Sequence, residues 1–431
     1  MIDIGHHGSV ADLHAWQRVR RYAVPGWMIA ECTAARERGD WRAACEAAGI
    51  EVGFDDPGPL AGLLAGFAPD LLRWHLPRIL HGSTGLLSHQ RYVLAPEGEA
   101  GTVLLVRTYG NERLTLDLMN RRQLPPGANI VVPPHLWDAR RAMGLREPAT
   151  FEPQPGPAPG WAAQLFVKSG WAVERERPGA DGQLALLLRS DLLRPPVDLT
   201  LVRAGLLAVD AVHPLVRRAL FPEAAPVLPL TGSGLPADVL TRVRCRGVWH
   251  WAGVSAGRIE LPEHTAEEQQ REHALAAFGG TISGCFQAER AWNGGGGRLP
   301  RLLREYRRDL ILRLEHGGAR EVTGLLDAGL DPLLRDAGGR TLIHMLRTFG
   351  DPGLLPRLIA AGVGIDTEDR QGYTALYEAV QHRWPSRYII AMVDAGATLG
   401  RLSSTRFLDV SAHRASDDLQ TAIAYIRKKK R

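Results

Sequence analysis

The sequence predicts an α+β N-terminal region followed by an all-α stack of helical repeats. Three observations carry this prediction. In the last third of the chain a pattern of turn and helix residues returns after 33 positions. Asp336, Gly339, Thr341, Ile343, His344 and Gly350 are echoed by Asp369, Gly372, Thr374, Leu376, Tyr377 and, more loosely, Arg383. The residues before it instead alternate helical runs with short β-rich runs joined by turn dipeptides. Two breaker segments, one rich in proline and one in glycine, separate these regions.

Composition sets the frame. A chain of 431 residues is long enough for two or three domains. With 45% hydrophobic and 23% charged residues it is globular rather than disordered. Only four of its 52 basic residues are lysines, a coding bias toward arginine. The net charge of +5 comes without the clustered basic stripe of a nucleic-acid footprint, which weighs against such a partner. Cys32, Cys45, Cys245 and Cys285 are widely spaced with no C-x-x-C pair, the usage of reduced, buried thiols in a cytoplasmic protein. The first residues lack the basic-then-apolar pattern of a leader. No run approaches the roughly 18 apolar residues of a membrane helix, so no membrane span is expected.

Taken in order, residues 10–75 read as helical, with Asp40 placed to cap a helix over Trp41–Ala48 and apolar residues at helical spacing from Leu60 to His75. Thr102–Tyr109 and Glu112–Met119 are β-rich and flank Gly110-Asn111, a two-residue hairpin signal. Asn129–Val132 reads as a strand and Pro134–Met143 as a short helix. Trp171–Arg177 and Gln183–Arg189 flank PGADG as a further hairpin. Leu199–Val212 is strand-like and Pro214–Leu220 helical. Val243–Trp251 and Arg258–Leu261 flank a Gly/Ser turn. Glu263–Phe278 is a charged helix opened by Thr265-x-x-Glu268, a capping box. These elements divide into an α+β domain over 1–148, a stiff proline-rich linker over 149–160 and a second mixed region over 161–292. A glycine hinge over 293–298 and repeats over 299–431 complete the chain. VVPPHLWDARRA and DAVHPLVRRAL share a loose pattern that would fit a duplication of the mixed region.

The 33-residue period with its D-x-x-G-x-T-x-L-H core resembles the ankyrin repeat, a β-turn followed by two antiparallel helices. The resemblance covers about 130 residues in four units, the outer two being caps. It implies that Thr341 caps the first helix and that His344 ties neighbouring turns together. Leu342 stands where the family has proline. Gly350 and Gly362 end the two helices, and Leu354, Leu355, Leu358 and Ile359 form the apolar stripe of the second. In the preceding unit Gly317 and Gly329 play these parts, and Arg308–His316 lacks the motif, as suits a cap. One such unit cannot bury its own apolar face, so the units must stack and present a long concave surface. Binding in this family falls on turn tips and the exposed side of first helices. Carried over by position, these are Ala337, Arg340, Met345 and Thr348, then Arg370, Gln371, Tyr373, Glu378 and Gln381. Arg340, Met345 and Tyr373 are the expected anchors, arginine and aromatic side chains being enriched at binding hot spots.

Signals for chemistry are sparse. Gly253-Val-Ser255-Ala-Gly257 fits the nucleophile elbow of a hydrolase, but the strand-like Arg258–Leu261 stands where that motif needs a helix, so a hairpin turn is expected. His81-Gly82-Ser83-Thr84-Gly85 only loosely matches an oxyanion loop. Cys245, His250, His264, His273 and Cys285 are zinc ligands by type, yet their spacing matches no compact site, and no metal or other cofactor is expected. Trp41–Ile50 has the rhythm of a helix-turn-helix, cut short by the acidic Asp55-Asp56-Pro57. The glycine run at 293–297 lacks the Lys-Ser/Thr of a phosphate loop, and Arg427–Arg431 reads as the basic end of a helix. The expected function is protein recognition: a cytoplasmic interaction or scaffold protein that docks a protein partner on the repeats. Two alternatives stand beside it. One is an enzyme in the N-terminal region, for instance a hydrolase, with the repeats recruiting its target or packing back to regulate it, marked by a cavity pairing His75, His81 or His250 with a carboxylate. The other is a DNA-linked regulator.

Overall fold

The computed structural model describes residues 10–78, 84–94, 101–109, 112–120, 123–124, 127–146, 174–175, 185–189, 197–224, 235–282, 284–294, 297–400, 408, 411 and 416–429. The fold is mixed α+β. The chain divides into two compact units, Met1–Gly232 and Ser233–Arg431. No described helix is long and apolar enough to cross a membrane.

In the first unit, helices α1 (Val10–Tyr22), α2 (Gly26–Glu37), α3 (Trp41–Ala47), α4 (Ala61–Leu64) and α5 (Pro69–His75) precede most of the sheet. Asp40 caps α3 as expected, its carboxylate accepting from Ala43 N at 3.0 Å. The strands are β1 (Ile50–Val52), β2 (Arg91–Leu94), β3 (Thr102–Thr108), β4 (Leu114–Asn120), β5 (Gly127–Val131), β6 (Glu174–Arg175) and β7 (Ala185–Arg189). They form one sheet in the order β1-β4-β3-β2-β5-β7-β6. Alternation sorts its side chains: Tyr92, Leu94, Leu104 and Val106 join the helices in the main core, while Val93, Val103 and Leu105 pack on the other face.

The two mixed regions expected over 1–148 and 161–292 are not separate bodies in this sheet, because β5 pairs with β7 in parallel from Gly127↔Ala185 to Val131↔Arg189. The proline-rich 149–160 and the PGADG turn lie outside the described residues, as does Gly110-Asn111. Residues 197–203 form helix α6 (Val197–Arg203) rather than the expected strand. Val197 and Leu201, four apart, face inward, and the buried Asp198 is held by Arg20 Nε at 2.7 Å and Trp74 Nε1 at 3.1 Å. A local β-rich composition yields here to that tertiary demand. Pro214–Leu220 is helix α7, as expected.

The second unit opens with β8 (Val239–Cys245), β9 (Val248–Ser255) and β10 (Arg258–Glu260), an antiparallel sheet in the order β10-β9-β8. The run 243–251, expected as one strand, is broken by a two-residue turn. Arg246 and Gly247 take φ of 50° and 91°, the paired left-handed geometry of a tight hairpin. Helices α8 (Ala266–Ala277, with its capping box formed), α9 (Cys285–Trp292) and α10 (Arg301–Asp327, kinked at Gly318) follow. The left-handed residue is thus Gly318 (φ 65°) and not Gly317. Then come α11 (Leu346–Phe349), α12 (Leu354–Ala360), α13 (Ala375–Gln381), α14 (Ser386–Asp394) and α15 (Asp417–Lys429). One apolar core runs from Cys245 to Ile426. The glycine run at 293–298 falls inside this unit rather than between bodies: Gly294 O accepts from Arg370 Nε at 3.2 Å, and Trp292 Nε1 donates to Gly257 O at 3.1 Å.

Candidate functional site

Two turns in the second unit are built alike. Asp336 Oδ1 accepts from Gly338 N at 2.8 Å and Arg340 N at 2.9 Å. Thirty-three residues on, Asp369 Oδ1 accepts from Gln371 N at 2.8 Å and Tyr373 N at 2.9 Å. Each turn closes with a backbone bond, Asp336 N to Arg340 O and Asp369 N to Tyr373 O. Each needs left-handed backbone at its fourth residue, which Gly339 (φ 81°) and Gly372 (φ 80°) supply without strain. The turns lie one on the other, for Arg370 N donates to Gly338 O at 3.0 Å. His344 completes the link. Its Nε2 donates to Tyr373 O at 3.1 Å, and its Nδ1 accepts from Thr341 N at 3.2 Å and meets Thr341 Oγ1 at 2.9 Å. Burial holds this imidazole below its ordinary pKa, toward the neutral tautomer those bonds require.

Thr374 caps α13 through Tyr377 N at 3.3 Å, but Thr341 does not cap its helix in the expected way. Residues 342–345 are turns with three-residue backbone bonds, and α11 begins only at Leu346. This winding buries residues 341–346 together. Met345 is consequently a core residue at 2% exposure, and the reading of it as a partner anchor is corrected. The other candidates are placed differently. Ala337, Arg370, Gln371 and Gln381 are exposed, whereas Arg340, Thr348, Tyr373 and Glu378 are half-buried. Tyr373 stacks on Tyr377 with ring centroids 4.6 Å apart and planes 8° from parallel, a flat aromatic surface. Arg340 is held by Asp336 at 2.7 Å and sits in the field of Glu378 and Glu315, which with Asp336 outweigh burial and raise its pKa. Burial raises the Glu378 carboxyl in turn, opposed by Arg340. The surface thus combines turn tips, a stacked tyrosine pair and alternating charge.

The chemical signals resolve as follows. Ser255 ends β9, Ala256 and Gly257 (φ 49° and 79°) turn the chain, and β10 follows, so the elbow motif is a hairpin. Residues 50–52 form a strand paired with β4 where a recognition helix would stand, so Trp41–Ile50 is not a helix-turn-helix. His75 is buried in the first unit beside Arg20 and His213, and burial pushes its pKa well down. His213 Nε2 lies 3.1 Å from Asp70 Oδ2, its Nδ1 accepts from Leu215 N, and both side chains are enclosed. His81 lies outside the described residues. Of the basic tail, Arg427, Lys428 and Lys429 finish α15, with Lys429 paired to Asp394 at 3.1 Å.

The zinc-type residues give the main departure from the sequence reading. The spacing of Cys245, His250, His264 and Cys285 suggested no compact site, yet their ligand atoms all lie within 4.8 Å of one another. His273 is apart, 3.1 Å from Glu289. Burial and the neighbouring Cys245 push the Cys285 thiol up to about 12. Beside this cluster a groove of about 390 Å³ is bordered by Arg244, Arg298, Arg301 and Arg304, of which Arg301 is paired with Glu305 at 2.8 Å.

The architecture is that of a mixed α+β protein with a periodic, turn-based segment near its C-terminal end. The chain is similar to NF-kappa-B inhibitor delta of Mus musculus, an ankyrin-repeat protein, at 29% identity over 160 residues. The match covers 31% of this chain and 48% of that protein, so the chain spans about half of the relative's length. No family model and no solved structure matches the chain.

Proposed function

We propose that residues 299–431 form an ankyrin-like stack whose role is to bind a protein partner, with the turn tips and the Tyr373–Tyr377 face as the docking surface. The observation that carries this reading is the pair of equivalent turns hydrogen-bonded to each other at a 33-residue interval. Repeats joined in this way present corresponding side chains in rows, a geometry suited to an extended partner rather than to a small substrate. Similarity to an ankyrin-repeat protein supports it. The setting we propose is cytoplasmic, in keeping with four buried cysteines, none of them in a disulfide. Of the histidines named for the enzyme alternative, His75 is buried in the first unit and His250 belongs to a cysteine–histidine cluster.

The test is capture from a lysate of the native host with full-length protein and with a Gln371→Arg, Tyr373→Ala, Gln381→Arg variant. Two of these residues are exposed and the third is half-buried, so the variant should retain the wild-type circular dichroism spectrum. Partners lost only from the variant support the reading. An identical set from both proteins would refute this face as the docking surface.

A further inference from the structure

Four side chains from three separate segments of the second unit converge at the end of its sheet. Cys245 is the last residue of β8. Across the Arg246-Gly247 turn it pairs with Val248, while His250 pairs with Val243, so Cys245 and His250 share one face of the hairpin on a diagonal. His264 arrives from the loop before α8, and Cys285 is the first residue of α9. Gly284 lets α9 start there. It holds a φ of 63°, and a Cβ in its place would stand 2.6 Å from Cys245 Cα and 2.8 Å from Cys245 Sγ.

The cluster has the make-up of a closed metal site. Tetrahedral zinc, with bonds of about 2.3 Å to sulfur and about 2.0–2.1 Å to nitrogen, sets its ligand atoms roughly 3.3–3.8 Å apart. The four atoms here lie within 4.8 Å of one another, and His250 Nδ1 and His264 Nε2 are 2.8 Å apart. Shifts of about 1 Å or less would bring the set to tetrahedral spacing. The far side of His264 is also furnished: its Nδ1 faces Glu268 Oε2 at 3.4 Å, the carboxylate–histidine pairing that orients metal-bound imidazoles. Glu268 is itself fixed by accepting from Thr265 N at 3.1 Å. Both cysteines are buried at 2% exposure or less. Two thiols and two imidazoles select zinc over hard cations such as calcium or magnesium, and four protein ligands leave no position for substrate.

We propose that Cys245, His250, His264 and Cys285 bind a structural zinc ion that clips the β8–β9 hairpin to the loop before α8 and the start of α9. The ion closes loops spanning 245–285, beside the buried Ala252, Val254, Leu261, Ile282 and Phe286. Its place is at the N-terminal end of the core that continues into α10 and the repeats. The hairpin reaches those repeats directly, since Asp331 N donates to Ala256 O at 2.8 Å and Arg258 pairs with Asp331 at 3.3 Å.

The experiment uses the full-length chain, purified under reducing conditions without chelator or polyhistidine tag. Its zinc content is measured by inductively coupled plasma mass spectrometry, and the chelated protein is titrated with Co2+ as an optical probe. The expected result is about one zinc per chain, and a cobalt spectrum with the strong d–d bands of a tetrahedral site and sulfur-to-metal charge transfer. Cys285→Ser should lose the metal, and Cys45→Ser, in the other unit, should keep it. His264→Cys should retain a metal with increased charge-transfer intensity, and Glu268→Gln should weaken zinc affinity about 10-fold. The proposal is overturned by wild-type protein that takes up neither Zn2+ nor Co2+, by an octahedral cobalt spectrum, by undiminished zinc in Cys285→Ser, or by a Cys245–Cys285 disulfide under the same conditions. Should Cys285→Ser fail to fold, the wild-type stoichiometry and cobalt spectrum decide the matter.

Discussion

Replacing His344 tests whether the repeated turns are held together by one imidazole. The ring bonds Thr341 N, Thr341 Oγ1 and Tyr373 O at 2.9–3.2 Å, and it is 2% exposed. A typical intramolecular hydrogen bond contributes about 1 kcal/mol net, so His344→Ala should cost about 3 kcal/mol from these contacts alone. His344→Gln keeps a donor and an acceptor and should lose less. Hydrogen exchange on peptides spanning 336–378 reads the effect locally, which matters in a chain with two units. A loss of about 3 kcal/mol corresponds to roughly 100-fold faster exchange of amides that open with this segment. A change below about threefold for the alanine variant would refute the assignment and leave His344 as a space-filler. The same ring makes a pH prediction. Burial sets its folded pKa below its ordinary value of 6.5, so below pH 6.5 the unfolded chain binds the proton more readily. The His344 contribution is therefore complete above about pH 6.5 and is lost as pH falls from there toward the folded value. His344→Gln should flatten this part of the stability profile.

Three further outcomes follow from burial and sterics. Met345→Ala should lower the stability of the second unit by about 2–5 kcal/mol in urea denaturation, the cost of a core cavity, whereas Thr348→Ala, half-buried in the same unit, should stay within about 0.5 kcal/mol. Asp198→Asn leaves Arg20, 4% exposed, without its carboxylate and should destabilise the first unit by about 3–5 kcal/mol; an unchanged thermal melt would mean that the Trp74 carbonyl and the Trp16 and Trp74 faces suffice to hold the guanidinium. Gly284→Ala adds about 1–2 kcal/mol of left-handed backbone strain to a clash with Cys245, so it should lose zinc to a competing chelator before the wild type does.

What the sequence disclosed was governed by local rules. Asp40 and the Thr265–Glu268 box formed as expected because a cap depends on residues three apart. Arg383, the loose echo of Gly350, takes a φ of 52°, so even the weak end of the period marked a left-handed helix terminus. The misreadings were tertiary. Residues 199–203 have the composition of a strand, but Asp198 must reach Arg20, 178 positions away, and a helix delivers it. Met345 takes an exposed position if the first helix of its unit starts at Thr341, and an interior one when 342–345 wind tightly. The cysteine–histidine set was the largest omission. Its ligands are separated by 4, 13 and 20 residues, and only the Arg246-Gly247 reversal, unread in the sequence, folds the first pair onto one face. A two-residue turn with glycine second, directly after a cysteine and three residues before a histidine, was the available signal.

The position of that set gives it a structural rationale. A stack of repeats gains stability from contacts between neighbours, so its first unit lacks half of them and needs a cap. In the stack proposed for residues 299–431 the hairpin would serve as that cap: the β9–β10 turn packs Gly257 against Leu330, and Trp292 reaches across to Gly257 O. The sheet doing this is small, three strands with its Leu240, Trp249 and Trp251 side exposed, and so has few apolar contacts of its own to hold it. A metal clip in place of a larger core is the remedy that small modules use. The same contacts connect the two sites. The hairpin that carries Cys245 meets Asp331 through Ala256 O, and the segment after α9, which begins at Cys285, meets the Asp369 turn through Gly294 O and Arg370. Loss of metal would therefore loosen the hairpin and the start of α9 first, and reach the Asp369 turn through the bond from Arg370 to Gly294 O.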